Sequence, residues 1–241
     1  MAGASVPVWP CEHFYLLTKP VEGITGNVPT LSDHDGGLYI RDDSGGLLVG
    51  CFEPHARPLD PEKLGHDFAF QLLQEDWDHF EPMMHHALHR LPALETAEVK
   101  MLLNGPESFT PDGSFLLGET PETPGLFLGC GMNSVGVATG GGAGMALAHA
   151  LVHGSPPVDL SEADPARLPP SLGSIEALTA RAPEVLGKHY EITYPSRQWA
   201  SARGVKPTPL HEKWRGANAH FGQVYDWERP LFFGKTSEPR M

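Results

Sequence analysis

The chain has 241 residues and a formal net charge of −13, with 40% apolar and 20% charged residues. That is enough for one substantial core, or one core plus an appended module. The negative field repels a phosphate backbone and so argues against a nucleic-acid partner, and no apolar run is long enough to cross a bilayer.

The amino-terminal "MAGASVPVWPCEHFYLL" lacks a basic stretch leading into a hydrophobic one, so it does not read as a secretory signal, and it is too poor in Arg for a mitochondrial presequence. Residues 5–20 read as an extended aromatic and apolar segment. "LYIRDD" (38–43) and "GGLLVGCFE" (45–53) flank Asp, Ser and Gly, the chemistry of a hairpin turn. After a Pro-rich loop, "DFAFQLLQEDWDHFEPMMHHALHRLPALE" takes on helical spacing, with Pro82 expected to break it or start a new helix. "EVKMLLNGPESFTPDGSFLLGET" returns to strand character, and "GLFLG" is a predicted buried strand. A small-residue helix after Gly144 should end near Gly154, with Pro156 and Pro157 as stop signals. From about residue 155 to Pro170, Pro, Asp and Ser cluster, marking a boundary or a wrapping linker. A short helix (174–187), an extended "HYEITYP" and a closing "WERPLFF" follow. The order of elements predicts an α+β fold.

The segment "LFLGCGMNSVGVATGGGAGMALAHALVHG" (126–154) imitates half of a nucleotide site. "GCGMNS" matches the start of G-x-G-x-x-G, with Ser134 where the third glycine belongs. A dinucleotide fingerprint also needs a second parallel strand and an acidic residue about twenty positions on, and here the helix runs into the Pro-rich boundary instead. Two other readings remain: a tight turn whose glycines allow close packing, or a set of free N–H groups at a helix start. The second would suit a planar ring that gains negative charge on reduction, such as a flavin pyrimidine.

Other candidates give less. His85 and His89 stand one helical turn apart, but nothing completes a metal site, and a solvated face is the plainer reading. There is no G-x-S-x-G to support serine hydrolase chemistry. Asp76, Asp78 and Glu81 are expected at the surface, with Trp77 and Phe80 in the core. Cys11, Cys51 and Cys130 lack metal-ligand spacing and read as free, partly buried thiols of a reducing compartment. His13 and Tyr39 lie in predicted strands, where alternation decides between core and cavity, and residue type alone favours ordinary packing.

Several segments together resemble the flavin-dependent sarcosine and dimethylglycine dehydrogenase family, which includes a phosphatase regulatory subunit. They are "EHFYLLTKPVEGI", "LYIRDDSGGLLVGCFE", "LQEDWDHFEP", "NGPESFTPDGSFLLGE", "LGCGMNSVGVATGGGAG", "PLHEKW" and "WERPLFF", and they span nearly the whole chain in family order. The resemblance implies a mixed or antiparallel substrate-domain sheet with helices, the returning strand, turn and helix of an FAD-binding domain, and a small carboxy-terminal connecting module. Residues 1–154 would be the later part of the oxidoreductase domain, 155–233 the module that precedes a folate-binding domain in the family, and 234–241 a tail. The amino-terminal ADP-binding unit, with its covalent flavin histidine, and the folate domain are both missing from this match. The chain is therefore expected to be a fragment or truncated product, with tetrahydrofolate relevant only through the missing domain.

The same resemblance implies FAD as cofactor, with Met132, Asn133, Ser134, Gly136 and Val137 meeting the flavin and Thr110 and Asp112 of "TPDG" beside it. It casts His13 and Tyr39 as substrate-pocket residues. A hydride leaves an N-methyl carbon easily only when the amine is neutral, so a histidine that can accept its proton suits the chemistry. Tyr39 would orient the substrate, and Arg41, on the same strand face, is a candidate carboxylate partner or a surface residue. The implied substrate is a small methylated amine, with a missing FAD-binding half as a further partner. The implied compartment is bacterial cytoplasm or mitochondrial matrix. A non-catalytic regulatory relative and an inert fragment are the alternatives.

Overall fold

The computed structural model describes residues 3–65, 67–192, 194, 197–224 and 226–235. Thr193, Pro195 and Ser196 of the expected extended segment, and residues 236–241 of the expected tail, lie outside the described residues.

The chain forms the expected α+β architecture. A five-stranded antiparallel sheet is ordered β2-β3-β4-β1-β5, from β1 (Trp9–Thr18), β2 (Leu31–Asp33), β3 (Leu38–Asp43), β4 (Gly46–Cys51) and β5 (Val99–Phe109). The β3–β4 hairpin turns on Ser44 and Gly45, both with positive φ (54° and 84°), the backbone that a two-residue primed turn requires. The long central β1 pairs with β5 from Trp9 to Thr18 but with β4 only from Tyr15 to Leu17.

Alternation gives this sheet two distinct faces. One carries Phe14, Leu16, Leu38, Ile40, Leu47, Val49, Cys51 and Leu102 against Phe80, Met83 and Ala87 of α1 (Trp77–Arg90). That helix is shorter than expected. Asp76 supplies its N-cap by accepting from the His79 N–H at 2.9 Å, and the residues before it are held along β5 instead, with Leu73 N–H donating to the Asn104 carbonyl at 2.8 Å. Pro82 does not break the helix. It removes one hydrogen bond near the start, and the buried Phe80–Met83–Ala87 stripe carries the helix through. Trp77, expected in the core, is exposed at 44% and packs its edge against Phe80. Asp76 is half-buried as the cap, while His85 and His89 are on the solvated face.

A two-stranded sheet of β6 (Leu116–Glu119) and β7 (Phe127–Cys130) follows. The strand expected to be buried is only half-buried, because β7 pairs with β6 alone and α2 covers one side. The helix α2 (Gly136–His153) begins before the expected Gly144 and runs through the glycine cluster. Ala143, Ala146 and Ala150 form its buried stripe, and Gly154, at φ 79°, ends it in the left-handed conformation.

After the Pro-rich stretch, α3 (Ile175–Tyr190) precedes β8 (Lys206–Pro207), α4 (His211–Gly216), β9 (Ala219–Val224) and β10 (Trp227–Phe233), with the three strands ordered β8-β10-β9. Ala182, Val185 and Leu186 of α3 close a second core over Cys11 and Phe109, on the other face of the large sheet. The thiols of Cys11 and Cys51 are buried and free, and burial first, then the nearby Glu53, pushes Cys11 up to about 12. No helix of the described residues is long and apolar enough to cross a membrane.

Candidate functional site

The second face of the large sheet holds the candidate site. α3 covers its Cys11–Phe109 end, and His13 is the next residue of that face along β1. Tyr39 lies on the same face, because Tyr15, Gly50 and Tyr39 are in register across β1, β4 and β3. Gly50 makes the arrangement possible: a Cβ there would overlap the Tyr39 ring, so the ring lies across the glycine toward β1. Tyr39 packs against Phe52, which stacks on Tyr190 of α3 with ring centroids 3.9 Å apart. Burial above all pushes the Tyr39 phenol up to about 12, so it stays a hydroxyl donor.

Glu53 fixes His13. Where β4 leaves the ladder after Cys51, the wholly buried Glu53 carboxylate takes the Phe14 N–H at 3.1 Å and the His13 Nδ1 at 2.9 Å. An ionised carboxylate only accepts, so Nδ1 carries the proton and Nε2 of the neutral ring keeps its lone pair. Burial lowers the imidazole pKa, but the hydrogen bond and charge of Glu53, with Glu107 behind them, outweigh it and hold His13 above its ordinary value. Nε2 is 3.8 Å from Glu107 Oε2, on β5.

Glu107 links this pair to the glycine-rich turn, accepting from the Ser134 hydroxyl at 2.6 Å. The turn is held in a backbone that few residues adopt, with positive φ at Gly131 (63°), Asn133 (46°) and Ser134 (68°). Gly131 is obligatory in packing terms too, since a Cβ would come within 2.6 Å of Thr110 Cγ2. The buried Asn133 side chain faces inward, accepting from the Thr110 N–H at 3.0 Å and donating to Thr110 Oγ1 at 3.2 Å. Of the expected flavin-facing residues, Ser134 reaches the His13 cluster through Glu107 and Val137 is fully exposed on α2. Met132 packs inward against the α2–β6 core, beside Gly136.

The "TPDG" loop neighbours the turn, but its side chains are engaged internally. Thr110 donates to the Ser114 carbonyl at 2.8 Å. Arg167 grips Asp112 with two hydrogen bonds of 2.8 and 2.9 Å, and Arg181, 2% exposed, reaches the Pro111 carbonyl at 3.3 Å. The segment after the boundary thus clamps this loop with two guanidiniums. Arg41 is exposed and is 3.8 Å from Asp43.

Sequence reasoning did not single out Glu53, Glu107 or Tyr190. Glu53 directly after an apolar strand was a weak signal of a buried acid. Glu107 shares a face with His13 only once the β1–β5 register is known, and Tyr190 arrives from a separate segment.

A strained turn leading into an α2 amino terminus with no side-chain cap, and an exposed side of α2 where Cβ atoms at Gly140, Gly141, Gly142 and Gly144 would meet nothing, leave main-chain donors and bare backbone for a flat, anion-forming ring. These features fit a flavin. Residues 1–150 match the family model described as FAD dependent oxidoreductase, and residues 153–208 match that of the FAD dependent oxidoreductase central domain. The chain belongs to the FAD-dependent oxidoreductase family, with FAD as its cofactor. It is 40% identical over 95% of its length to the mitochondrial pyruvate dehydrogenase phosphatase regulatory subunit of Mus musculus, and 40% identical over 97% to the mitochondrial sarcosine dehydrogenase of the same species. It spans about a quarter of each, 26% and 25%. Among solved structures, glycine oxidase from Geobacillus kaustophilus superposes with a TM-score of 0.51 at 26% identity, covering 67% of this chain and 40% of that one.

Proposed function

We propose that this chain forms the flavin- and substrate-facing part of a dehydrogenase that oxidatively demethylates an N-methylated amino acid such as sarcosine or dimethylglycine. The observation that carries the reading is the placement of His13 and Tyr39 on one open sheet face, with His13 pinned by Glu53 and joined to the glycine-rich turn through Glu107 and Ser134.

The turn and the start of α2 would hold FAD, which would supply the acceptor for a hydride from the N-methyl carbon. Gly136 and Val137 would offer it backbone N–H groups, Ser134 a backbone contact, and Met132, Asn133 and Thr110 would hold the turn in shape behind it. Asp112 would act through the loop that it and Arg167 stiffen. His13 Nε2 takes the proton from the substrate ammonium, leaving the nitrogen lone pair free, and Glu53 stabilises the imidazolium that results. Tyr39 donates its hydroxyl to orient the substrate, and the Phe52–Tyr190 wall keeps water from that side. In this reading, residues 1–154 are the later part of the oxidoreductase domain and 155–233 a connecting module. A longer parent chain or a separate FAD-binding half completes the enzyme, in bacterial cytoplasm or the mitochondrial matrix.

The test is an anaerobic absorbance spectrum of the chain with FAD, before and after addition of sarcosine or dimethylglycine. A shifted flavin band that bleaches with the amine, and bleaches more slowly in His13→Ala, supports the proposal. A spectrum identical to free FAD refutes a competent site in this chain. The equal identity to a regulatory subunit favours a second reading, a pocket without turnover, in which the band shifts but does not bleach.

A further inference from the structure

The feature left unused is the gap between two acceptors. Glu107 Oε2 and His13 Nε2 face each other at 3.8 Å, too far for a direct hydrogen bond. In the neutral ring that the proton step requires, His13 does not donate across that distance, because Glu53 holds the single ring proton on Nδ1. The Glu107 oxygen already accepts from Ser134, which fixes it in place, and its side chain is 26% exposed and open to a ligand. Two acceptors held this close suit a single atom that carries two protons. A nitrogen about 2.9 Å from each lies within ordinary hydrogen-bond reach of both.

We propose that Glu107 is the specificity-determining residue of this site, and that it selects secondary amines over tertiary ones. A secondary ammonium has two N–H bonds, one for Glu107 and one for His13. A tertiary ammonium has a single N–H and leaves one acceptor unpaired, and a quaternary ammonium leaves both. The proton step follows: the N–H bond aimed at His13 breaks, its electron pair stays on the amine nitrogen, and the proton forms an Nε2–H bond. The second N–H stays on Glu107 and keeps the neutral amine in place. Ser134 donates to the carboxylate and is hydrogen-bonded in turn to Tyr190, and His189 lies within the field of Glu107.

The inference rests on the proposed amine site and deepens it to one substrate class, N-monomethyl amino acids. The test is calorimetric binding of sarcosine, dimethylglycine and glycine betaine to the chain with FAD present, in the unaltered protein and in Glu107→Gln and Glu107→Asp. The expected order is sarcosine, then dimethylglycine about tenfold or more weaker, the factor one charge-assisted hydrogen bond carries, then betaine. Glu107→Gln should collapse the sarcosine preference to within about threefold, and Glu107→Asp, which keeps the charge, should retain part of it. Equal affinity for sarcosine and dimethylglycine, or a ratio unchanged in Glu107→Gln, overturns the inference and leaves the proposed function standing. Absence of binding by all three amines overturns both.

Discussion

Replacing Glu53 by Gln makes the most demanding test of the His13 assignment. The carboxylate serves two donors, the Phe14 N–H at 3.1 Å and His13 Nδ1 at 2.9 Å, from a position with no solvent exposure. An amide of the same shape has one acceptor oxygen and two N–H donors. If the oxygen stays with Phe14, the amide nitrogen faces Nδ1 and can bond to it only after the ring proton moves to Nε2. The charge-assisted bond, about 1.5–3 kcal/mol, becomes a neutral one of about 0.5–1.5 kcal/mol, so the net loss of stability is about 1–2 kcal/mol. The functional loss is larger, since Nε2 then carries a proton and no lone pair. General-base catalysis contributes about 10²–10⁴ to rate, and under the proposed function amine oxidation should fall by about that factor. The imidazole pKa should also fall, because burial then acts without the Glu53 charge to oppose it. The sign of the pH effect follows. A histidine whose folded pKa lies above 6.5 adds stability that is full below 6.5 and lost as pH rises through the folded value, so the two proteins should differ more at pH 6 than at pH 9. Urea denaturation at those two pH values gives the stability, and ¹⁵N NMR of the imidazole gives tautomer and pKa. A ring still protonated on Nδ1 with an unshifted pKa would refute the reasoning.

Three further substitutions probe the scaffold. Gly50→Ala places a methyl in the Tyr39 ring and should cost about 1–3 kcal/mol by thermal melting. As the ring swings into solvent, the phenol, now at about 12, should titrate lower by tyrosinate absorbance, and an unchanged titration counts against the placement. Arg167→Ala takes two charge-assisted bonds from Asp112 and one from the Ser114 carbonyl, which keep the Ser114 N–H and the Thr110 hydroxyl as partners, so a loss of about 1–3 kcal/mol is expected, with faster amide exchange at residues 112–114. Exchange unaltered there would show that the loop does not depend on the clamp. Asn133→Ala loses the partner of the buried Thr110 N–H, about 1–3 kcal/mol, and adds about 1 kcal/mol for a left-handed non-glycine backbone. Asn133→Gly should spare the second cost, and equal losses in both variants would place the whole effect in the side chain.

Local chemistry made much of the fold legible. The Ser44–Gly45 turn, the β1 and β5 strands and the left-handed stop at Gly154 each followed from residues within a few positions. The mistakes share one cause, in that tertiary contacts override local spacing. Apolar periodicity before Asp76 suggested helix, but the Leu73 N–H donating to the Asn104 carbonyl and the Asn104 side-chain amide donating to the Gln74 carbonyl hold that stretch along a strand. Pro82 looked like a break, but the buried stripe on α1 carried the helix past it. For the site, alternation put His13 and Tyr39 each on one face of a strand, but only the register through Gly50 put them on the same face of the sheet. Glu53 and Glu107 are 40 and 94 positions along from His13, and no local pattern could bring them together.

The glycines of α2 carry a cost in stability. Four helical positions, Gly140, Gly141, Gly142 and Gly144, would accept a methyl group without touching any described atom. At roughly 0.8–1 kcal/mol apiece relative to alanine, the helix forfeits about 3–4 kcal/mol of propensity around its exposed side. A protein engineer seeking a hardier chain would fill those positions first and gain degrees of melting temperature. The same edit would raise a ridge of methyls where main chain now lies bare, holding any approaching surface back by the width of a methyl group. Thermal robustness and closeness of approach are in direct opposition along this one helix.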